Sequence, residues 1–272
     1  TLLNELQRDE SKLIEVYKAF ADKKSKDIFI RRMALVASGF DYQSYKNYLT
    51  EFSEPILQFG YNNPERFDLG GSYFYFNNDI IHLKDNETLV DGGAFIGDSM
   101  EAFIKVCEKK NLHYRHIYCL EPDCTNYGKL VKSTAKYRNV TCLPYGLWSH
   151  RTTLNFVSSA QTEAYGAKIQ ETGIMASGSA DTKIDTVSID EQLNGEMATF
   201  IKMDIEGAEL EAVQGAANTI KSFTPKLAIS VYHKTTDLYE IPLLVHHIHP
   251  GYKLYLRHLG NYFDDTILFA TT

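Results

Sequence analysis

Two short stretches hold residues able to do chemistry: Leu89-Val-Asp-Gly-Gly-Ala-Phe-Ile-Gly97 and Phe200-Ile-Lys-Met-Asp-Ile-Glu-Gly-Ala-Glu209. Each reads as an apolar strand that meets a carboxylate and passes through glycine into a helix. In an open α/β sheet, ligands sit outside the carboxyl ends of the strands, where such turns gather. In the first stretch the glycines let the backbone come close to a ligand, and the following helix offers its N-terminal amides. Its expected ligand-facing residues are Asp91, Gly93, Phe95, Gly97, Asp98 and Ser99. The spacing departs from the dinucleotide pattern G-x-G-x-x-G. Asp91 and Asp98 would repel a pyrophosphate and suit a cation. A sulfonium cofactor, S-adenosylmethionine, therefore fits better than NAD, with Asp91 holding its ammonium group directly or through water. Glu121 closes Ile117-Tyr-Cys-Leu-Glu121 and is followed by Pro122. An acidic residue ending the second strand accepts from two ribose hydroxyls. Gly146 and Trp148, past the third strand, are expected to shape the adenine wall, although an ordinary core position suits Trp148 equally.

The second stretch places Asp204 and Glu206 two residues apart after a strand, a spacing that points both side chains into one cleft from extended backbone. A hydroxyl acceptor must lose its proton during in-line transfer, which requires a base. Glu206 is the expected base, and Asp204 its orienter, a cofactor contact or a metal ligand. Capping of the next helix competes as a reading of both carboxylates. His233, after the fifth strand in Ser230-Val-Tyr-His-Lys234, fits a second base, or a ligand joining Asp204 around a divalent ion. A purely structural histidine fits the same position. His246, His247 and His249 read as a partly solvated helix face.

Positioning these residues requires alternating strands and helices. Apolar patterning predicts strands at 89–91, 116–121, 140–143, 199–204 and 226–231, with helices at 98–110, 123–136, 208–222 and 237–249. Strands 253–258 and 266–270, joined through Leu259-Gly260-Asn261, form a terminal hairpin. Asp98 with Glu101 reads as a variant capping box. The implied fold is α/β, a doubly wound and mainly parallel sheet with one antiparallel strand from the hairpin. Residues 1–60 read as a helical extension, a cap or a homodimer surface, punctuated by Gly39 and Asp41. Residues 61–272 read as the main domain. Residues 61–88 are turn-rich and aromatic, suiting short strands or irregular entry segments. Residues 158–183, rich in Ser, Ala, Gly and Thr, suit a substrate lid or a disordered loop.

Composition sets limits. A formal charge of −7 argues against a broad nucleic-acid surface. No apolar run reaches the roughly 18 residues a membrane helix needs, so no membrane insertion is expected. The N-terminal run lacks a signal-peptide pattern, and the missing initiator Met fits a trimmed or partial chain. Cys107, Cys119, Cys124 and Cys142 form no C-x-x-C pair and are expected as free thiols, consistent with a cytoplasmic protein. The 18 Tyr beside one Trp suit polar-tipped packing or a sugar-facing surface.

The chain resembles the FkbM family of S-adenosylmethionine-dependent methyltransferases over about residues 85–272. The resemblance rests on Val90-Asp-Gly-Gly-Ala-Phe-Ile-Gly97, Cys119-Leu-Glu-Pro122, Val187-Ser-Ile-Asp190, Ile201-Lys-Met-Asp-Ile-Glu-Gly-Ala-Glu209 and Gly215-Ala216. Tyr232-His-Lys, Asp237-Leu, Ile241-Pro and Tyr255-Leu-Arg-His258 are similar to family elements as well. It implies the class I methyltransferase sheet, Rossmann-like and seven-stranded with helices on both faces. It further implies O-methylation of a sugar, glycan or natural-product hydroxyl, with Mg2+ at the Asp204 carboxylate in some related enzymes. Gly92 departs from the family's usual apolar residue after the aspartate. Two other function classes compete. An NAD-dependent sugar-nucleotide dehydrogenase or epimerase would show G-x-G-x-x-G and a Tyr-x-x-x-Lys pair in the main domain. A non-catalytic scaffold would have lost a glycine turn or a strand-end carboxylate. An RNA methyltransferase is disfavoured by charge and by the lack of an Asn-Pro-Pro-Tyr motif.

Overall fold

The computed structural model describes residues 7–39, 41–52, 71–157, 168–170, 182–259 and 265–272. Along the chain, helices α1 (Glu10–Ala19), α2 (Lys23–Ala37) and α3 (Tyr42–Phe52) precede a short 3-10 turn at Gly71–Tyr75. There follow β1 (Glu87–Gly92), α4 (Asp98–Lys109), β2 (Tyr114–Leu120), α5 (Cys124–Thr134), β3 (Val140–Leu143), β4 (Gly146–Leu147), β5 (Thr152–Val157), β6 (Lys168–Gln170), β7 (Thr182–Val187) and α6 (Ile189–Leu193). The chain continues with β8 (Phe200–Met203), α7 (Glu209–Gln214), α8 (Ala217–Phe223), β9 (Lys226–Ser230), α9 (Asp237–Ile248), β10 (Lys253–His258) and β11 (Thr266–Thr271).

Seven strands order as β10-β11-β9-β8-β1-β2-β3. The pairs β1–β2, β1–β8 and β2–β3 are parallel, whereas β11 runs antiparallel to both β10 and β9. The fold is thus α/β with a mostly parallel sheet and a C-terminal antiparallel hairpin. A separate four-stranded sheet, β4-β7-β5-β6, was not expected from sequence. The strands of β1 and β8 are buried along their whole length. This matches their near-continuous apolar runs, the pattern of a parallel strand covered on both faces.

The chain divides into two compact units, residues 1–82 with 226–272, and residues 83–225. In the first unit, α1 lies on α9: Tyr239 donates to Asp9 at 2.9 Å and Lys12 pairs with Glu240 at 3.1 Å. Helix α2 follows β10, where the buried Arg257 guanidinium pairs with Asp22 at 2.7 Å and also donates to Ser25. Asp41 accepts from Ser44 N–H and so caps α3, and Gly39 closes α2 with φ +68°.

In the second unit, β1 leaves the sheet through the 92–97 turn into α4, whose inward face holds Met100, Phe103, Ile104 and Val106. The expected Asp98/Glu101 capping box does not form. Gly97 occupies the cap in left-handed conformation, Asp98 lies inside the first turn, and Glu101 pairs with Lys136 at 3.0 Å. A capping box does close on α6, between Ser188 and Glu191. The helix expected over 208–222 is two helices. A Cβ on Gly215 would stand 2.2 Å from the Trp148 carbonyl, so the chain bends there against its neighbour. Of the two readings for 61–88, the aromatic part is irregular rather than strand: it forms the 3-10 turn Gly71–Tyr75, with Tyr73 and Tyr75 buried. Most of 158–183, residues 61–70 and the hairpin's Gly260 and Asn261 lie outside the described residues. Among the described residues, no helix is long and apolar enough to cross a membrane.

Candidate functional site

Asp91 ends the apolar part of β1 and has no solvent exposure. In the parallel ladder it stands opposite Lys202 on β8. Partners in a parallel ladder point to one face, and Lys202 Nζ lies 3.1 Å from the Asp91 carboxylate. Ser99 Oγ donates to the same carboxylate at 2.5 Å. Burial pushes the Asp91 carboxyl up, against the pull of Lys202 and Ser99. For Lys202 burial works against the charge, yet Asp91, Asp204 and Asp98 outweigh it and hold the ammonium above its ordinary range. Lys202 also donates to the carbonyls of Gly92 and Gly93, at 3.1 and 3.0 Å. A buried cation needs such partners, and here they fix the glycine turn to the neighbouring strand.

The two turns seen in the sequence are in direct contact. Gly93 has φ +70°, and a Cβ there would lie 1.9 Å from the Asp204 carbonyl oxygen. Asp204 N–H donates to the Gly92 carbonyl at 3.2 Å. No other residue type allows both this backbone conformation and this approach. Phe95 also takes a left-handed backbone, φ +47°, and the residue is 47% exposed in the turn. Its N–H donates to Glu121 at 3.0 Å, and Asp123 N–H donates to the other Glu121 oxygen at 2.9 Å. Burial pushes the Glu121 carboxyl up to about 7, with the two backbone N–H groups pulling it back. Glu121 thus binds the glycine turn to the end of β2. Pro122 is half-buried there, within 3.8 Å of where a Gly146 Cβ would stand. Trp148 is buried, and its backbone N–H donates to the Val187 carbonyl at 3.1 Å. Asp98 is exposed at the start of α4.

Past β8, Asp204 and Glu206 are both half-buried. Glu206 has φ +59° and Gly207 φ +97°. A left-handed glutamate costs about 1–2 kcal/mol and persists only where its surroundings enforce it. Glu209 does so. Fully buried, it accepts from Ile205 N–H at 2.8 Å and Gly207 N–H at 2.9 Å, the amides on either side of Glu206. Neither Lys202 nor Glu209 was picked out as a functional residue from sequence, although both lie in the most distinctive motif. The signal was present: a lysine between Ile201 and Met203 in a buried strand must have a carboxylate partner.

All the expected cofactor-facing residues, with Asp204 and Glu206, lie in the 83–225 unit. His233 lies in the other unit, after β9, half-buried with its ring 4.1 Å from that of Tyr232.

A family model described as the methyltransferase FkbM domain matches residues 91–263. Among solved structures, the chain is similar to methyltransferase FkbM from Methylobacillus flagellatus KT, with 24% identity and a TM-score of 0.73. That match covers 98% of this chain and 60% of the other, so the chain spans somewhat over half of that relative's length. Weaker likeness extends to fibrillarin from Aeropyrum pernix, in complex with natively bound S-adenosyl-L-methionine. There the identity is 10% and the TM-score 0.44, over 75% of this chain and 74% of the other. Precorrin-6y C5,15-methyltransferase from Geobacter metallireducens GS-15 has 13% identity and a TM-score of 0.44, over 76% and 89%. No curated protein sequence matches.

Proposed function

The chain belongs to the FkbM methyltransferase family, and on that premise we propose that it transfers a methyl group from S-adenosylmethionine to a hydroxyl of a sugar, glycan or natural-product acceptor. The observation that carries this reading is the packing of the Gly93 turn against the Asp204 carbonyl, with Glu206 two residues further on. A cofactor held at the first turn is thereby next to the carboxylates of the second.

The residues present fit the cofactor. Glu121 uses one lone pair on each oxygen for a backbone N–H, and a carboxylate offers about four. The remaining ones suit a pair of ribose hydroxyls. Phe95, exposed at the turn, would cover an apolar face of the ligand, Gly97, Asp98 and Ser99 would line the turn after it, and Pro122, Gly146 and Trp148 would face the adenine. Asp91 acts from beneath, since its carboxylate is committed to Lys202 and Ser99 and keeps the turn in place. When bound, the sulfonium supplies an electrophilic methyl group to an aligned nucleophile. Glu206 takes the acceptor's hydroxyl proton as the oxygen attacks, and Asp204 orients that hydroxyl. His233 is a second candidate for proton transfer. Mg2+ at the Asp204 carboxylate is proposed on donor type alone; no step depends on it, and turnover that survives EDTA removes it.

The test is transfer of labelled methyl groups from S-adenosylmethionine into a panel of nucleotide sugars and glycan extracts. Glu206→Gln is expected to spare cofactor binding and lower transfer by about a hundredfold or more. Unchanged transfer would remove Glu206 as the base.

A further inference from the structure

Cys119 and Cys142 occupy directly opposed positions on the adjacent parallel strands β2 and β3. Opposed residues of a parallel pair point to the same face, and their Cα atoms stand about 4.8 Å apart, the spacing of neighbouring strands. That lies within the Cα range of disulfides, about 4.4–6.8 Å, and closing the bond also requires the two Cβ atoms to draw in from strand spacing to about 3.5–4.5 Å. Cys142 Sγ lies 3.2 Å from the Thr134 hydroxyl at the end of α5. Cys119 is fully buried, whereas Cys142, on the edge strand, is part-exposed. One partner is therefore partly exposed and the other enclosed. The other two cysteines lack this arrangement: Cys107 is buried in α4 and Cys124 is exposed at the start of α5.

We propose that Cys119 and Cys142 form a thiol–disulfide exchange site for small disulfides such as oxidised glutathione. The Cys142 thiolate attacks one sulfur of the reagent and releases one glutathione thiol. The Cys119 thiol then attacks the Cys142 sulfur of the mixed disulfide, passing its proton to the departing second glutathione thiolate and closing the Cys119–Cys142 bond. The protein loses two electrons and the reagent gains them as two thiols. Contact with Cys119 lowers the Cys142 thiol to about 6, against the effect of burial and with a smaller pull from Thr134. The same contact and burial push Cys119 well up. The exposed thiol is thus the one that ionises, the order that nucleophilic attack requires. The bond would form two residues before Glu121 and next to the segment leading to Gly146.

The experiment incubates the full chain with oxidised and reduced glutathione at several ratios, alkylates remaining thiols and maps the peptides by mass spectrometry. The expected product links the Cys119 and Cys142 peptides while Cys107 stays alkylated as a free thiol. Cys119→Ser is expected to trap glutathione on Cys142, and Cys142→Ser to leave Cys119 unmodified. Glutathione on Cys124 with Cys119 and Cys142 both still alkylatable would overturn the proposal. So would a Cys119→Ser protein that takes no glutathione at Cys142. The map of the unsubstituted chain decides the matter even if a serine variant fails to fold.

Discussion

Glu121→Gln is the substitution that separates the buried carboxyl's charge from its shape. Burial raises this carboxyl from an ordinary 4.5 to about 7. Between those values the folded protein holds a proton that the unfolded chain has released, so stability falls as pH rises through that window. The loss is complete above about pH 7. A shift of this size corresponds to about 3 kcal/mol at its limit, and to about 2.5 kcal/mol between about pH 5 and about pH 8. Glutamine cannot ionise and removes this slope. It also presents one oxygen where two backbone donors, Phe95 N–H and Asp123 N–H, need acceptors. Leaving one of them unsatisfied costs about 1–3 kcal/mol at every pH. The variant is therefore expected to be the less stable protein near pH 5 and close to the original near pH 8. Urea unfolding of both proteins across that range is the assay, since their difference cancels every other titrating group. A stability difference that stays constant within about 0.5 kcal/mol from pH 5 to 8 would refute the reasoning, because it would mean the carboxyl carries no burial shift.

Other perturbations have expected outcomes on the same physical grounds. Lys202→Met leaves Asp91 as an uncompensated buried carboxylate and should cost about 3–5 kcal/mol in urea unfolding. Adding Asp91→Asn to it should recover most of that loss, and no recovery would show that the pair is not the cause. Gly93→Ala must take a left-handed backbone at about 1–2 kcal/mol and open the contact with the Asp204 carbonyl. It should weaken S-adenosylmethionine binding by tenfold or more, about 1.4 kcal/mol; a variant that binds normally would mean the turns need not touch. If Glu121 accepts from the ribose hydroxyls as proposed, its ionised form is favoured, and proton linkage predicts that the affinity for S-adenosylmethionine rises with pH up to about 7 and then levels. Calorimetry at several pH values checks this, and a flat profile contradicts it.

The main sheet was legible because each of its strands is a short apolar run bounded by turn residues. Val140–Leu143 and Lys253–His258 match the expected bounds, and the other strands differ by one or two residues at the ends. The four-stranded sheet was not, for two reasons. Strand β4 has two residues and β6 three, too short for periodicity to register. Strand β7 does alternate, with Lys183 and Asp185 exposed and Ile184 and Thr186 buried, but it follows a Ser- and Gly-rich stretch that dominates its window. The break at Gly215 depends on the Trp148 carbonyl, far away in sequence, which no local pattern announces. At the site, sequence could identify which carboxylates end strands but not their division of labour. Asp91 and Glu209 are spent on holding backbone and a buried lysine, whereas Asp204 and Glu206 keep some exposure. That difference comes from which side chains the parallel register sets face to face.

The central claim, that the two touching turns form a methyl-transfer site using S-adenosylmethionine, is tested most directly by calorimetric titration of the full chain with S-adenosylmethionine and, separately, with NAD. The account predicts saturable binding of S-adenosylmethionine, weakened by Glu121→Ala, and no heat with NAD. Binding of NAD with no binding of S-adenosylmethionine would contradict it.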